Sequence, residues 1–294
     1  MGLMLWALMA WGLEGMGEDD AMGRLTSRHA VLRIAPEETI RRRDTLAVEE
    51  PLEIRLGGEA YLVTMRTPGN DIDLAHGLLY SEGIISGRSD IVLARYCAGT
   101  GPEGFNTYNV LDVTLGSGVS PAVARRNVTM NSSCGICGTT TIEEVLRGSP
   151  YGAATDLSVP AELVLTAPIL LREHQRAFDQ TGGLHAAGLL GMDSEMVCVR
   201  EDVGRHNAVD KVIGWAIREE LLPLRQMILA VSGRASFELT QKAVLAGIPV
   251  LAAVSAPSSL AAELAESAGL TLVGFVRGET MNVYTHPERL IRSG

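Results

Sequence analysis

The fold is decided by residues 227–254, which read MILAVSGRASFELTQKAVLAGIPVLAAV. The apolar runs at 227–231 and 248–254 have the length and composition of buried strands. The stretch between them, near 236–246, is predicted to be a helix. A strand, a helix and a second strand in succession favour parallel strand pairing in a layered α/β fold.

The same alternation extends on both sides of this unit. Upstream, residues 196–200 are predicted to form a strand. Downstream, a helix near 259–268 leads into a strand at 270–275. We therefore predict one α/β domain over residues 127–294.

The residues before 127 have a different pattern. Two alternating stretches between residues 45 and 66 flank Gly57 and Gly58, which is typical of a β-hairpin. Residues 107–115 alternate as a further strand. Residues 24–126 are therefore predicted to form a smaller β-rich N-terminal subdomain.

Two helix starts are assigned from residues with short polar side chains. Asn207 is expected to cap one helix. Asp71 or Asp73 is expected to cap a shorter helix that stops at Gly83.

Composition and charge narrow the class of protein. The chain has 294 residues, a formal net charge of −10 and four cysteines. This acidic balance argues against a nucleic-acid surface, and four cysteines make no disulfide framework, so a reducing, cytoplasmic location is expected. The run Arg41, Arg42, Arg43 is interpreted as the solvated end of an element.

The N-terminus is apolar over residues 1–13, with no Lys or Arg before the run. It is too short to span a membrane and lacks the charged start of a signal peptide. Residues 1–23 are interpreted as a disordered tail or a mis-assigned start, with Met22 as the alternative initiator. No membrane association is expected.

Polar loops follow four of the predicted strands. They begin after Val199, Val231, Val254 and Phe275 and are rich in glycine, serine and arginine. In open α/β sheets, ligands bind at the carboxyl ends of strands, where helix N-termini present free N–H groups. The loops together predict a site for an anionic, phosphorylated ligand, although serine and glycine singly are ordinary turn residues.

Two histidines accompany these loops. His206 stands beside Arg205, just before the expected helix cap, in a good position to meet an anion. His185 lies in a glycine-containing stretch. For each of them, a hydrogen-bonded structural histidine is the alternative.

Cys134 and Cys137 form a C-x-x-C motif within NSSCGICGTTTIEEVLR, residues 131–147. A glycine follows each cysteine, and capping-box spacing from Thr140 or Thr141 predicts a helix start directly behind the motif. The positive end of a helix favours a thiolate, which is the reactive form of cysteine. The motif therefore predicts sulfur chemistry.

The alternative for this motif is half of a structural zinc site. A closed zinc site needs four ligands, and the other cysteines, Cys97 and Cys198, stand alone in the sequence. Cys198 lies in an apolar strand pattern and is predicted to be a core residue, and Cys97 has no assigned role. The zinc interpretation is therefore the weaker one.

Eight segments, in chain order, resemble the FdhD/NarQ family of formate dehydrogenase accessory sulfurtransferases. They are residues 50–52, 65–69, 81–85, 133–138, 181–185, 200–211, 232–234 and 271–278. The most distinctive of them, residues 200–211, reads REDVGRHNAVDK. The resemblance covers roughly residues 25–290.

The resemblance implies a sulfur carrier. Family members accept sulfur from a cysteine desulfurase as a cysteine persulfide. They pass it to the molybdenum cofactor, in its bis-guanine-dinucleotide form, before the cofactor enters formate dehydrogenase. By this match Cys134 would carry the persulfide and Cys137 would assist in transfer or resolution. The resemblance also implies a cytidine-deaminase-like core and a homodimer.

The resemblance further implies where the cofactor lies. The segment that matches the family's cofactor-binding residues is Phe275, Val276, Arg277, Gly278, Glu279 and Thr280. We expect the phosphates of the dinucleotide near Arg277, Arg234 or Arg205, with His206 beside them.

Three other functions share some of these features. A thiol–disulfide oxidoreductase also uses C-x-x-C near a helix start, but here Asn131 and its neighbours precede the motif instead of a strand. A zinc deaminase needs Pro before its Cys-x-x-Cys and a Glu two residues after a ligand, whereas this chain has Ser133 and Ala187 at those positions. A non-enzymatic cofactor chaperone would use the thiols only to grip the metal.

Overall fold

The structure is a computed structural model that describes residues 25–97, 107–119, 141–152 and 157–292. Its strands are β1 (Thr26–Ala35), β2 (Glu38–Ala47), β3 (Glu50–Leu56), β4 (Glu59–Arg66), β5 (Ile91–Tyr96), β6 (Val110–Leu115), β7 (Val159–Pro160), β8 (His185–Gly191), β9 (Met196–Asp202), β10 (Met227–Val231), β11 (Val250–Ala253), β12 (Thr271–Arg277), β13 (Thr280–Val283) and β14 (Leu290–Ile291). Its α-helices are α1 (Asp71–Ser81), α2 (Ile142–Gly148), α3 (Ala161–Glu173), α4 (Arg176–Thr181), α5 (Arg205–Arg218), α6 (Phe237–Leu245) and α7 (Ser259–Ala268).

A six-stranded central sheet has the order β13-β12-β11-β10-β8-β9. Strands β10, β11 and β12 are parallel, which confirms the prediction from their alternation with helices. Strand β8 is antiparallel to both β10 and β9, so β9 runs in the same direction as β10. The expected parallel pairing of β9 is therefore wrong, because its partner is β8, an alanine- and glycine-rich segment without a strand pattern.

Helices cover both faces of this sheet. Helices α5, α6 and α7 pack on one face, around Leu229, Leu251 and Leu272. Helix α3 packs on the other, where Ile228 and Val250 are fully buried. Burial on both faces explains why these strands are continuous apolar runs. The layered α/β class is confirmed.

A second sheet of four strands has the order β4-β3-β6-β5. The predicted hairpin is confirmed, since β3 and β4 pair across Gly57 and Gly58. Both glycines have positive φ, 60° and 88°, as a type I′ hairpin turn requires. This sheet and α1 share one apolar cluster with the α5–α7 face of the central sheet. The predicted subdomain boundary near residue 126 lies outside the described residues.

The two helix caps expected from the sequence are wrong. Helix α1 follows Asn70 without a side-chain cap, because Asp71 pairs with Arg66 and Asp73 pairs with Arg200. Helix α5 follows Gly204, and Asn207 lies inside it. Asp73 and Asn207 thus bond to groups distant in the chain, Arg200 and the carbonyl of Met65, whereas the partner of Asp71 is five residues away.

Helices α1 and α5 cross in close contact through two glycines. A Cβ atom at Gly77 would overlap the carbonyl of Asp210, and one at Gly214 would overlap the carbonyl of Asp73. The crossing fixes α5 against the N-terminal sheet, and the start of α5 lies in the candidate site described below.

Strands β1 and β2 form a two-stranded ribbon that the sequence pattern did not indicate, and we call residues 26–47 the ribbon. Arg41, Arg42 and Arg43 lie within β2 and are exposed, so their interpretation as an element end is wrong, although they are solvated. Helix α4 is the main element in contact with the ribbon.

Candidate functional site

The carboxyl ends of β9, β10, β11 and β12 lie at one edge of the central sheet, because these strands run in the same direction. Strand β8 runs the opposite way, so its first residue, His185, lies at this edge too. The predicted residues Arg205, His206 and Arg234 follow β9 and β10 and are brought together here.

Arg205 is the first residue of α5, and its half-buried side chain lies where the backbone N–H groups are free. Its Nε atom is buried and has no hydrogen-bond partner among the described residues. The first turn of α5 contains no acidic residue. A guanidinium at a helix N-terminus without a carboxylate nearby in the turn suits an anion.

A buried ion pair supports the loop that presents Arg205. Asp202, fully buried at the end of β9, lies 2.7 Å from Nζ of Lys211. It also accepts hydrogen bonds from the backbone N–H groups of Gly204 and Thr67, at 2.8 and 3.1 Å. These bonds fix the backbone that leads into α5. They give Asp202 and Lys211 a structural role in the REDVGRHNAVDK motif.

His206 faces the loop after β10. Its Nε2 atom lies 3.4 Å from Oγ of Ser236 and 3.7 Å from the carboxylate of Glu238. The interaction with the imidazole lowers the pKa of Glu238 to about 2. Glu238 therefore stays anionic and holds the imidazole ring in position beside Arg205.

His185, for which the sequence left a structural alternative open, lies at the same edge. Burial lowers the pKa of His185, and the nearby charges of Arg205, His206 and Arg234 lower it further. The loop after β10 passes close by, since a Cβ at Gly233 would lie 3.4 Å from Nδ1 of His185. Arg205 and Arg234 therefore bring positive charge to this edge, against which the carboxylate of Asp202 acts in the opposite direction on His185. The same field would attract an anion.

The serines of these loops are mainly structural. Oγ of Ser232 accepts a hydrogen bond from the backbone N–H of Ala186 at 2.9 Å, which ties β8 to the end of β10. Oγ of Ser258 accepts from the N–H of Ala261 and caps α7. Because these two hydroxyl groups bond within the protein, they contribute less to a ligand site than the sequence predicted. Arg234, by contrast, is exposed and forms no ion pair among the described residues.

The predicted segment from Phe275 to Thr280 is a hairpin, not a loop after a strand that ends at Phe275. Strand β12 continues to Arg277, which pairs with Thr280 of β13 across a tight turn. Phe275 is 38% exposed and has a positive φ of 52°, whereas the side chain of Val276 is buried in the core. Nε of Arg277 donates to the carbonyl of Val254 at 3.3 Å, so this arginine leans towards the neighbouring strand end.

Comparisons with known proteins identify the family of the chain. The sequence profile described as the FdhD/NarQ family matches residues 47–291. The chain belongs to the FdhD/NarQ family. It is 58% identical over 269 residues to the sulfur carrier protein FdhD of Nocardia farcinica, covering 91% of this chain and 96% of the relative. It is 54% identical over 273 residues to the FdhD of Streptomyces coelicolor, covering 92% and 97%.

A solved structure has the same fold. It is described as that of a formate dehydrogenase accessory protein from Desulfotalea psychrophila, and it superposes with a TM-score of 0.71 at 24% identity. The match covers 91% of this chain and all of the other. The resemblance to the FdhD/NarQ family seen in the sequence is confirmed.

The cysteine motif of this FdhD/NarQ chain, Cys134 and Cys137, lies outside the described residues. The helix predicted behind it is confirmed: Thr141 caps α2, and the carboxylate of Glu144 accepts from the N–H of Thr141 at 2.8 Å. Glu143 and Glu144 both lie in the first turn of α2. These carboxylates already occupy the positive end of the seven-residue helix, which weakens the expected dipole effect on a thiolate.

The remaining cysteines differ in environment. Cys198 is buried in β9, and burial raises its pKa to about 12, which confirms it as a core residue. Cys97 is half-buried after β5. Among the described residues, no three His, Cys, Asp or Glu side chains are grouped to hold a metal ion. No helix in the described part of the chain is long and apolar enough to cross a membrane.

Proposed function

We propose that this protein is a sulfur carrier that serves formate dehydrogenase. It would accept sulfur from a cysteine desulfurase and pass it to the molybdenum cofactor in its bis-guanine-dinucleotide form, in the cytoplasm. The support is family membership together with relatives at 50–58% identity that are named sulfur carrier protein FdhD. The cofactor is the cargo of this reaction and not a resident group.

The proposed chemistry uses two cysteines. The thiolate of Cys134 attacks the outer sulfur of the donor's persulfide, forming Cys134–S–SH and releasing the donor's cysteine thiolate. The thiolate of Cys137 then attacks the inner sulfur. This step releases hydrosulfide to the acceptor and leaves a Cys134–Cys137 disulfide, which a cellular dithiol reduces again. The activity is that of a sulfurtransferase with a persulfide intermediate.

The carboxyl edge of the central sheet is the proposed acceptor site. The observation that supports this half of the proposal most directly is the buried Nε of Arg205, at the start of a 14-residue helix, for which the described residues provide no hydrogen-bond partner. Phosphate oxygens would accept from Arg205, Arg234 and His206. Arg277 and the backbone of the hairpin from Phe275 to Thr280 would border the dinucleotide, and the exposed ring of Phe275 offers a stacking surface for a base.

Transfer of labelled sulfur tests the carrier role against its main alternative, a chaperone that only grips the cofactor. The protein is loaded with ³⁵S from cysteine by a desulfurase, isolated, and mixed with the molybdenum cofactor. We expect the label to move to the cofactor with wild-type protein and not with Cys134→Ala. Binding of the cofactor without movement of label would favour the chaperone.

An insulin reduction assay tests the other alternative, a thiol–disulfide oxidoreductase. We expect no turnover above the rate of free dithiothreitol. Turnover that depends on both Cys134 and Cys137, without sulfur transfer, would replace the proposal.

Two structural expectations from the family remain proposals. The first is a cytidine-deaminase-like core, for which the support is the strand order β9-β8-β10-β11-β12, with β8 antiparallel to both of its neighbours. The second is that the protein acts as a homodimer.

A further inference from the structure

We propose that the ribbon, residues 26–47, is the surface through which two copies of this chain associate. The inference rests on the homodimer in the proposed function and adds the surface that forms it. It does not involve the sulfur-transfer chemistry.

The ribbon is a sheet with two open edges. Strands β1 and β2 pair over ten residues each, from Thr26 opposite Ala47 to Ala35 opposite Glu38. No other strand among the described residues pairs with either of them. An isolated two-stranded ribbon is only marginally stable in water, and its open edges attract further protein. Within the described part of the chain, α4 contacts the ribbon but no strand extends it, so its strand edges are available to a second copy.

Both faces of the ribbon expose apolar side chains. No ribbon residue is buried, and the exposed fraction reaches 56% at Leu32 and 74% at Ile34. Leu32 lies opposite Arg41, and Arg33 lies opposite Ile40, so each face combines an aliphatic side chain with an arginine. Such a mixture is typical of the contact regions of proteins. Exposed apolar groups on an extended element usually mark such a region.

Charge identifies a second copy as the partner that fits. The ribbon contains five arginines and three carboxylates, a net charge of +2, while the whole chain carries −10, so the other residues carry −12. Arg41 and Arg43 form no ion pair among the described residues, and Arg42 makes only an exposed contact with Asp44 at 3.5 Å. A basic arm on an acidic body is complementary to the body of a second copy. Two-fold symmetry would form this contact twice.

The test is the molar mass of the full-length protein in solution, measured by light scattering or sedimentation over a range of concentrations and salt. One variant carries Leu32→Ser, Ile34→Ser and Ile40→Ser, and a second carries Arg41→Glu and Arg43→Glu. The matched control is Val92→Ser, an apolar residue of β5 that is 69% exposed. All these side chains are exposed, and circular dichroism checks that each variant folds.

We expect a dimer for wild type and for the control. The dimer dissociation constant should rise at least about tenfold in both ribbon variants. Added salt should weaken the wild-type dimer, because part of the attraction is between opposite charges. Backbone amides of the ribbon should exchange hydrogen more slowly as protein concentration rises.

Two results would overturn the inference, and they differ in what else they remove. A wild-type monomer at all concentrations removes both the ribbon contact and the homodimer, and leaves sulfur transfer untouched. A dimer that both ribbon variants retain removes only the ribbon as its contact surface.

Discussion

The charged residues in the interior of the molecule and those at the carboxyl edge are arranged in opposite ways. In the interior, two fully buried cations each pair with a carboxylate: Lys211 with Asp202, and Arg66 with Asp71. At the edge, Arg205 and Arg234 form no ion pair among the described residues, and the charge of each lowers the pKa of His185. The interior ion pairs hold the fold, whereas cations without a carboxylate partner add no such stabilisation. The difference supports the proposal that the edge binds a ligand that brings negative charge.

The largest expected effect comes from breaking the interior arrangement. Lys211→Met leaves Asp202 as an uncompensated buried charge, so we expect the free energy of unfolding to fall by about 3–5 kcal/mol. Denaturant unfolding measures this. The matched substitution at the edge, Arg234→Met, should change stability by no more than about 0.5 kcal/mol. Similar losses of unfolding free energy for the two variants would contradict the difference between the interior and the carboxyl edge.

At the carboxyl edge, we expect substitutions to change the affinity for the ligand and not the stability of the fold. Arg205→Ala removes charge-assisted hydrogen bonds to phosphate, and we expect the affinity for GDP, measured by calorimetry, to fall about 10- to 100-fold. The control is Arg172→Ala, which removes an exposed arginine of α3 that pairs with Asp179. Equal affinity in wild type and Arg205→Ala would remove α5 from the phosphate site.

The smallest expected effect is on how the free energy of unfolding depends on pH. Interaction with His206 depresses the pKa of Glu238 to about 2, so the stability contributed by Glu238 is present above its unfolded pKa of 4.5. That contribution is lost as pH falls from 4.5 towards 2. In denaturant unfolding from about pH 6 to about pH 3, the difference between wild type and Glu238→Gln should narrow with acidity. The exposed Glu263→Gln should show no such narrowing. A constant difference for Glu238→Gln would contradict the His206–Glu238 interaction.

The sequence predicts the central elements well where one physical cause dominates. Strands β10 and β11 are buried on both faces, so their apolar runs and the helix between them are legible without tertiary information. Strand β8 cannot be recognised in this way, because its alanines and glycines lack the β-branched pattern of a strand. Its glycine Gly188 instead allows Met196 and Leu171 to approach closely. The caps assigned to Asp73 and Asn207 failed because their side chains bond to Arg200 and to the carbonyl of Met65, which are far away in sequence. Asp71 pairs instead with Arg66, five residues before it.

The candidate site also contains some residues that the sequence predicts and others that only the structure reveals. Arg205, His206 and Arg234 are predictable because the direction of parallel strands places the loops after them at one edge. His185 and Glu238 become recognisable only when β8 is known to run the opposite way and α6 is known to face α5. The sequence signal that was present, a histidine in a glycine-containing stretch, did not distinguish a site residue from a structural one.

The central claim, that the chain carries sulfur on Cys134, is tested most directly by intact-protein mass spectrometry. Wild type, Cys134→Ala and the control Cys97→Ala are each incubated with a cysteine desulfurase and cysteine. We predict a gain of one sulfur atom in wild type and Cys97→Ala, reversed by a thiol reductant, and no gain in Cys134→Ala. No gain in wild type, or an equal gain in all three proteins, would contradict the claim.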